Sequence, residues 1–434
     1  AQLSGRHATS ATAALAELTE LAAARGGSAT VSLRRRLASL RTAPKRPGGP
    51  PPGTPRRTFF PKGNAVRTWT EPERRDPLPR TATEPIRATV DGELAARAAR
   101  LDRFDVAVLD AALARVPAPA RERAGSEQLA GWPRGSIRPL AGAPVIRLFL
   151  HWVDRHSDRV DLDLSCAFYN QQWAQIGHCD YTALFFGDRA AVHSGDLTSA
   201  PPPLGATEYL DLHRERLLDE GVAWAVPVVL SYNDVPFEAL DAALAGFSLP
   251  QDEGATFDAA RVLQRFSLRG DTRSLAPLIL DVRTGDVMWI DAAQTTSGYA
   301  HNVATNGPRL GRIAADLWEH FTAGIRPTLL DLAAWHAAAR ADRVLVAHPD
   351  GTATAIPAAA PADVVAAVRS VASGEGGGGT AQIPVPGRTF AATTDPARLP
   401  AGAADGSLAL LVDGTAPAPW TQVAAPELMA GLTP

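Results

Sequence analysis

Between residues 144 and 290 apolar residues gather in many short runs separated by turn residues, which predicts strands, and in 160–169 the apolar and polar positions alternate. The runs cover 144–150, 160–169, 181–186, 190–193, 209–212, 223–232, 262–268, 278–282 and 287–290, with turn residues between them. Arg283-Thr284-Gly285-Asp286 is a hairpin turn joining the last two. Many short strands separated by turns point to a β-sandwich or barrel. Outside this block the period changes. Positions 310–323, 328–341 and 362–372 follow helical spacing, and 343–356 reads as a hairpin turning at Pro349-Asp350-Gly351.

The N-terminal third has a different pattern. Residues 10–25 predict a short helix with Leu15, Leu18 and Leu21 on one stripe, closed by Gly26-Gly27, and 31–40 predict a second, basic helix. The segment 43–55 is dominated by proline and glycine and reads as a linker. From Gly92 to Val116 the residues Leu94, Leu101, Phe104, Val108 and Leu113 recur at near-helical spacing, predicting a helix or helical pair. The run Gly376 to Gly379 follows no strand and precedes no lysine, so it is read as a spacer. Beyond it only 382–390 and 407–412 have strand character.

These readings set the expected organisation: a basic arm and linker over 1–55, a helical region over 56–134, a β core over 135–300, a helix and hairpin appendage over 301–373, and a spacer with a tail over 374–434. The fold class is mainly β, with a helical N-terminal region and a small α/β C-terminal appendage.

Charge adds an asymmetry to this picture. Residues 1–80 carry 15 Arg plus Lys against 5 Asp plus Glu, whereas the whole chain of 434 residues is −3. A basic arm on an acidic body suits a nucleic acid or an anionic surface, and it suits equally a fold-back onto its own body. Phe59, Phe60 and Trp69 interleave with Arg56, Arg57, Lys62 and Arg67, which permits stacking on single-stranded nucleic acid or docking onto the β core. The two cysteines, Cys166 and Cys179, are too few for a disulfide framework and fit a reducing compartment. No apolar run is long enough for a membrane-spanning helix, and no signal-peptide pattern opens the sequence, so a cytoplasmic location is expected.

The candidate chemistry lies between residues 160 and 208. On a strand, Asp161, Asp163 and Ser165 share one face, with Leu162, Leu164, Cys166 and Phe168 on the other. Carboxylates two residues apart on one face stand about 6.6 Å apart at their Cα atoms and repel, so a hard cation, an arginine or water must compensate them. Asp196, in His193-Ser194-Gly195-Asp196, and Glu208 bring the count to four carboxylates, with Ser165, Thr198 and backbone carbonyls as further oxygen donors. The alternative is an exposed strand edge paired with Arg147, Arg155 or Arg159.

The same residues carry a resemblance. Residues 135–293 resemble the TerD family of tellurium-resistance and general-stress proteins. It rests on the Asp-Leu-Asp-x-Ser strand, His193-x-Gly195-Asp196, the acid before Tyr209-Leu210-Asp211-Leu212, Ser231-Tyr232-Asn233 with Pro236-Phe237, and Gln264-Arg265-Phe266-Ser267-Leu268. The resemblance implies a TerD-like β-sandwich that binds calcium, here through Asp161, Asp163, Asp196 and Glu208, and a stress-response role with other stress proteins as partners. The chain departs from the family at two places: Gly195-Asp196-Leu197 stands where Gly-Asp-Asn is usual, and Gly205-Ala206-Thr207-Glu208 where acids are dense.

Enzyme signatures are sparse. There is no phosphate loop, nucleophile elbow, dinucleotide fingerprint or His-Glu-x-x-His. His178-Cys179-Asp180 is the one reactive-looking triplet, and a cysteine- or metal-dependent hydrolase follows from it as a lesser reading. A non-enzymatic protein that binds a divalent cation and acts through partners is the expectation. An adaptor gripping nucleic acid or an anionic surface through residues 1–80 is the alternative.

Overall fold

The computed structural model describes residues 56–59, 69–72, 80–118, 127–128, 132–140, 142–155, 159–240, 242–249, 262–268, 271–293, 302–324, 326–375, 380–381 and 387–433. The expected arm and linker over 1–55, with helices at 10–25 and 31–40, and the spacer Gly376 to Gly379 lie outside the described residues. The chain is mainly β and divides into two compact units. One comprises the described residues of Pro55–Glu73 and Arg121–Phe321, the other those of Arg74–Ala120 and Thr322–Pro434.

The first unit is built from two antiparallel sheets. The seven-stranded sheet runs in the order Glu127–Gln128, Val262–Ser267, Ala242–Ser248, Val145–Val153, Ala206–His213, Ala191–His193 and Phe185–Phe186. The six-stranded sheet runs in the order Ile137–Pro139, Asp286–Ala293, Ser274–Asp281, Trp224–Ser231, Leu162–Tyr169 and Gln175–Cys179. One apolar cluster joins them. Leu148, Leu150 and Leu210 from the first sheet meet Leu164, Phe168 and Val229 from the second, and Phe266 stacks edge-on against Trp289 with ring centroids 4.4 Å apart. Burying these side chains stabilises the unit by about 1.5–3 kcal/mol for each large one.

The outer face of the six-stranded sheet is covered as well. Ala167, Tyr169, Val226 and Val228 pack under the helix Val303–Thr322 through Val303, Leu310, Ala314 and Leu317. This two-sided burial accounts for Ala167 and Tyr169 on the outer face of Leu162–Tyr169, a strand whose residues are all buried. The close approach of helix to sheet needs glycine, since a Cβ on Gly311 would lie 2.6 Å from the Tyr169 ring. Tyr169 then donates its hydroxyl proton to the Gly307 carbonyl at 2.9 Å. A two-stranded ribbon, Arg56–Phe59 with Trp69–Pro72, is anchored on the same helix. Arg56 Nε and Thr70 Oγ1 both donate to Asp316 Oδ2, at 2.9 and 2.6 Å.

The second unit is an α/β layer. Its sheet is ordered Thr380–Ala381, Ala353–Ile356, Ala341–Ala347, Phe104–Asp110, Thr389–Thr393, Leu408–Leu411 and Thr421–Val423, and the last five are parallel neighbours. The helical spacing read over residues 92–116 is corrected here. The helix Arg80–Ala98 ends before Leu101, and Phe104–Asp110 is a central strand of this sheet. A central parallel strand is buried on both faces and reads as a continuous apolar run, so the alternation that marks a strand is missing. Helices Leu329–Arg340 and Pro361–Ala372 fall where the spacing predicts them. The helix Val303–Thr322 begins seven residues earlier than the periodic stripe from 310, because Gly307 and Pro308 interrupt the pattern. Among the described residues no helix is long and apolar enough to cross a membrane.

Candidate metal centre

The strand Leu162–Tyr169 presents its outer face at one end as acid. Asp161, just before the strand, and Asp163 on it approach Asp196 from the loop after Ala191–His193, and one carboxylate oxygen from each lies within 4.8 Å of the others. Asp161 and Asp163 are buried and Asp196 is exposed. The start of the strand is held by the loop after Trp224–Ser231. Asp161 donates its N–H to Asn233 Oδ1 at 3.3 Å, Tyr232 donates its N–H to the Asp161 carbonyl at 2.9 Å, and Asn233 Nδ2 donates to the Arg159 carbonyl at 2.7 Å. The Ser231-Tyr232-Asn233 motif thus fixes where Asp161 stands.

Asp163 is the anomaly in this group. It is 2% exposed, and among the described residues its Oδ2 has no hydrogen-bond partner; the Ser165 hydroxyl, fully buried two residues on, has none among them either. A buried unpaired carboxylate oxygen is costly, and native structures carry few such groups without a ligand, ion or proton to explain them. Burial pushes the Asp163 carboxyl up to about 8, helped by the negative charges of Glu208, Asp161, Asp196 and Asp180. Burial also raises Asp161, with Arg159 opposing it. Tyr181 is pushed up to about 12, first by burial and then by Asp163.

The arginine alternative is present in part. Arg159 Nη2 stands 3.3 Å from Asp161 Oδ2 with its own side chain 60% exposed, which is a screened, weak contact. Arg147 is engaged elsewhere, in a two-pronged pair with Asp211 at 2.6 and 2.7 Å. Neither described contact reaches Asp163.

Glu208 stands beside the cluster with both carboxylate oxygens occupied. It is fully buried, and it accepts the Leu164 N–H on Oε2 at 2.8 Å and the Leu197 N–H on Oε1 at 3.0 Å. His193 Nε2 lies 3.6 Å from Glu208 Oε2 and 2.9 Å from the Leu164 carbonyl, while its Nδ1 accepts the Gly195 N–H at 3.1 Å. That pattern assigns the Nε2–H tautomer. Asp154, not singled out by the sequence, works in a similar way at the other end of the loop. Its carboxylate accepts the N–H groups of Val160 and Ala200 at 3.0 and 2.9 Å. Its only sequence signal is a short acidic residue just past the end of an apolar strand.

The His178-Cys179-Asp180 triplet does not assemble as a nucleophile. Cys179 is fully buried in the core, and burial pushes its thiol up to about 12, so it stays protonated at neutral pH. His178 Nε2 reaches Asp180 Oδ2 at 3.8 Å, while Asp180 Oδ1 accepts from Thr182 and Ala183 to close a turn. Cys166 and Cys179 are cross-strand partners, both free thiols.

No family model matches the chain, and no curated protein matches it. Among solved structures it is similar to a protein of unknown function, SAV2460, at 16% identity over 39% of this chain and 98% of that one, with a TM-score of 0.30. It is also similar to a homologue of the telluride resistance protein TerD from Streptomyces coelicolor A3(2), at 11% identity over the same shares and with the same TM-score. At that score neither likeness bears on residue roles or activity.

Proposed function

We propose that the two-sheet unit is a TerD-like β-sandwich that binds a divalent cation, calcium, through Asp161, Asp163 and Asp196, and that the protein acts without catalysis in a stress response, by partner contacts at the cation-bearing loops. The observation that carries this reading is the unpartnered, buried Asp163 oxygen facing two more carboxylates. Calcium takes six to eight oxygen ligands, so three carboxylates, the Ser165 hydroxyl and solvent suit it, and a hard cation removes the repulsion that the fold leaves uncompensated. The TerD assignment and the stress role rest on the order of sequence motifs from Asp161 to Leu268.

Calcium titration read by melting temperature and calorimetry tests the site. A cation that binds only the folded state at a hundred times its Kd adds about 2.7 kcal/mol of stability. The parent should gain and the Asp161→Ala, Asp163→Ala double variant should not. Equal gains in both would sink the site.

A further inference from the structure

Leu164 sits at an incomplete sheet edge. Its strand pairs with Trp224–Ser231 along its whole length, but on the other side with Gln175–Cys179 only from Cys166 to Tyr169. The Leu164 N–H and carbonyl therefore face a gap, and buried backbone groups in such a gap need partners. Two side chains from the opposite sheet provide them. Glu208 takes the N–H and His193 Nε2 donates to the carbonyl, as a neighbouring strand would. Both side chains then reach the loop with their remaining atoms. His193 Nδ1 takes the Gly195 N–H and Glu208 Oε1 takes the Leu197 N–H, the two amides either side of Asp196.

We infer that His193 and Glu208 are a positioning pair that clamps the Asp196 loop to the Asp163 strand, with Glu208 acting through its backbone partners and not as a cation ligand. The pair hangs on one residue of the strand, Leu164, which directly follows Asp163. The four hydrogen bonds therefore fix how far Asp196 stands from Asp163 before any ligand arrives. Both members are essentially inaccessible to solvent, at 4% and 0% exposure, so water does not compete for these bonds. Gly195 suits the turn, since its φ of +121° is one that side chains rarely allow. The purpose of the clamp rests on the cation reading above; its existence as a clamp does not.

Residue-resolved amide hydrogen exchange on the full chain tests this, with Glu208→Gln as the variant. A glutamine of the same shape can accept only one of the two N–H groups, and losing a hydrogen bond to a charged group should speed exchange at Leu197 or at Leu164, whichever faces the amide nitrogen, about ten-fold or more in calcium-free protein. Amides of Trp224–Ser231 should keep their rates, which a general loss of stability would not allow. His193→Gln should act likewise at Gly195, and the double variant should weaken calcium binding less than the product of the two single effects, because both serve one clamp. Unchanged exchange at both Leu164 and Leu197, or equal acceleration throughout the unit, overturns the clamp. So does faster exchange at Leu197 when calcium is added to the parent, since that is the mark of Glu208 leaving its amides to bind the ion. If the parent binds no calcium, the cation reading fails, and the calcium-free exchange rates still decide the clamp.

Discussion

Arg369 grips Asp91 with two hydrogen bonds, at 2.7 and 3.1 Å, from the helix Pro361–Ala372 to the helix Arg80–Ala98. The same guanidinium reaches Asp331 on Leu329–Arg340 at 2.5 Å, and Trp335 donates its indole N–H to Asp91 at 3.0 Å. Three helices of the α/β unit thus meet at one cation between two carboxylates that are 3% and 8% exposed.

Removing the cation should therefore cost more than a surface pair. Arg369→Met removes this cation from between the two acids, and breaking a buried pair costs about 3–5 kcal/mol, reduced here toward the lower figure because Arg369 keeps partial contact with solvent. Arg369→Lys retains charge but loses the two-pronged geometry and should cost about half as much. Urea unfolding of the two variants would check the order. Equal stability of Arg369→Met and the parent would show that the acids are served by water.

Gly311 offers a test in which two principles disagree about sign. Helix propensity alone says that alanine should stabilise a helix interior by about 1 kcal/mol relative to glycine. The added Cβ would lie 2.6 Å from the Tyr169 ring and 3.1 Å from the Trp173 carbonyl. Overpacking costs about 1–3 kcal/mol and should win, because Tyr169 is fully buried and bonded to Gly307. Gly311→Ala should lower the melting temperature; a rise would mean that the helix shifts freely over the sheet.

His336 sets an acid limit for the α/β unit. It is fully buried, donates from Nε2 to the Leu428 carbonyl at 3.0 Å, and accepts from Arg340 Nη1 on Nδ1 at 2.9 Å, so the ring is neutral. Burial and then Arg340 lower its pKa to about 4. The unfolded histidine binds a proton near pH 6.5, so between 6.5 and 4 the unfolded state holds more protons and stability falls as pH falls. The slope approaches 1.4 kcal/mol per pH unit within that window and flattens below 4. His336→Gln should reduce the slope in the same window. An unchanged slope would assign the acid loss to carboxylates.

The acidic strand was legible because a period of two is local information: Asp161 and Asp163 needed no partner to be placed on one face. The roles of Glu208 and His193 were not, because they depend on an edge gap at Leu164 created by the short strand Gln175–Cys179 in the other sheet. No spacing within one strand encodes such a gap. The same limit hid Phe104–Asp110, whose neighbours Ala341–Ala347 and Thr389–Thr393 come more than 200 residues later in the chain. Local propensity read Leu101, Phe104 and Val108 as a helical stripe, and tertiary pairing overrode it.

Asp163 should show the cost of the proposed site in the calcium-free protein. Its carboxylate is buried with one oxygen unpaired and two more acids close by, an arrangement that destabilises the fold by about 1–3 kcal/mol or more when nothing compensates it. Asp163→Asn is uncharged at nearly constant shape, so above about pH 8, where the parent carboxyl ionises, it removes a buried charge, and at neutral pH it removes a group that must take up a proton on folding. The variant should melt above the parent without calcium and below it with saturating calcium, so that the two rank in opposite orders in the two conditions. Such a reversal follows when a site is kept for binding at the expense of stability. If Asp163→Asn melts below the parent in both conditions, the carboxylate is held by partners within the fold, and the cluster owes its shape to packing alone.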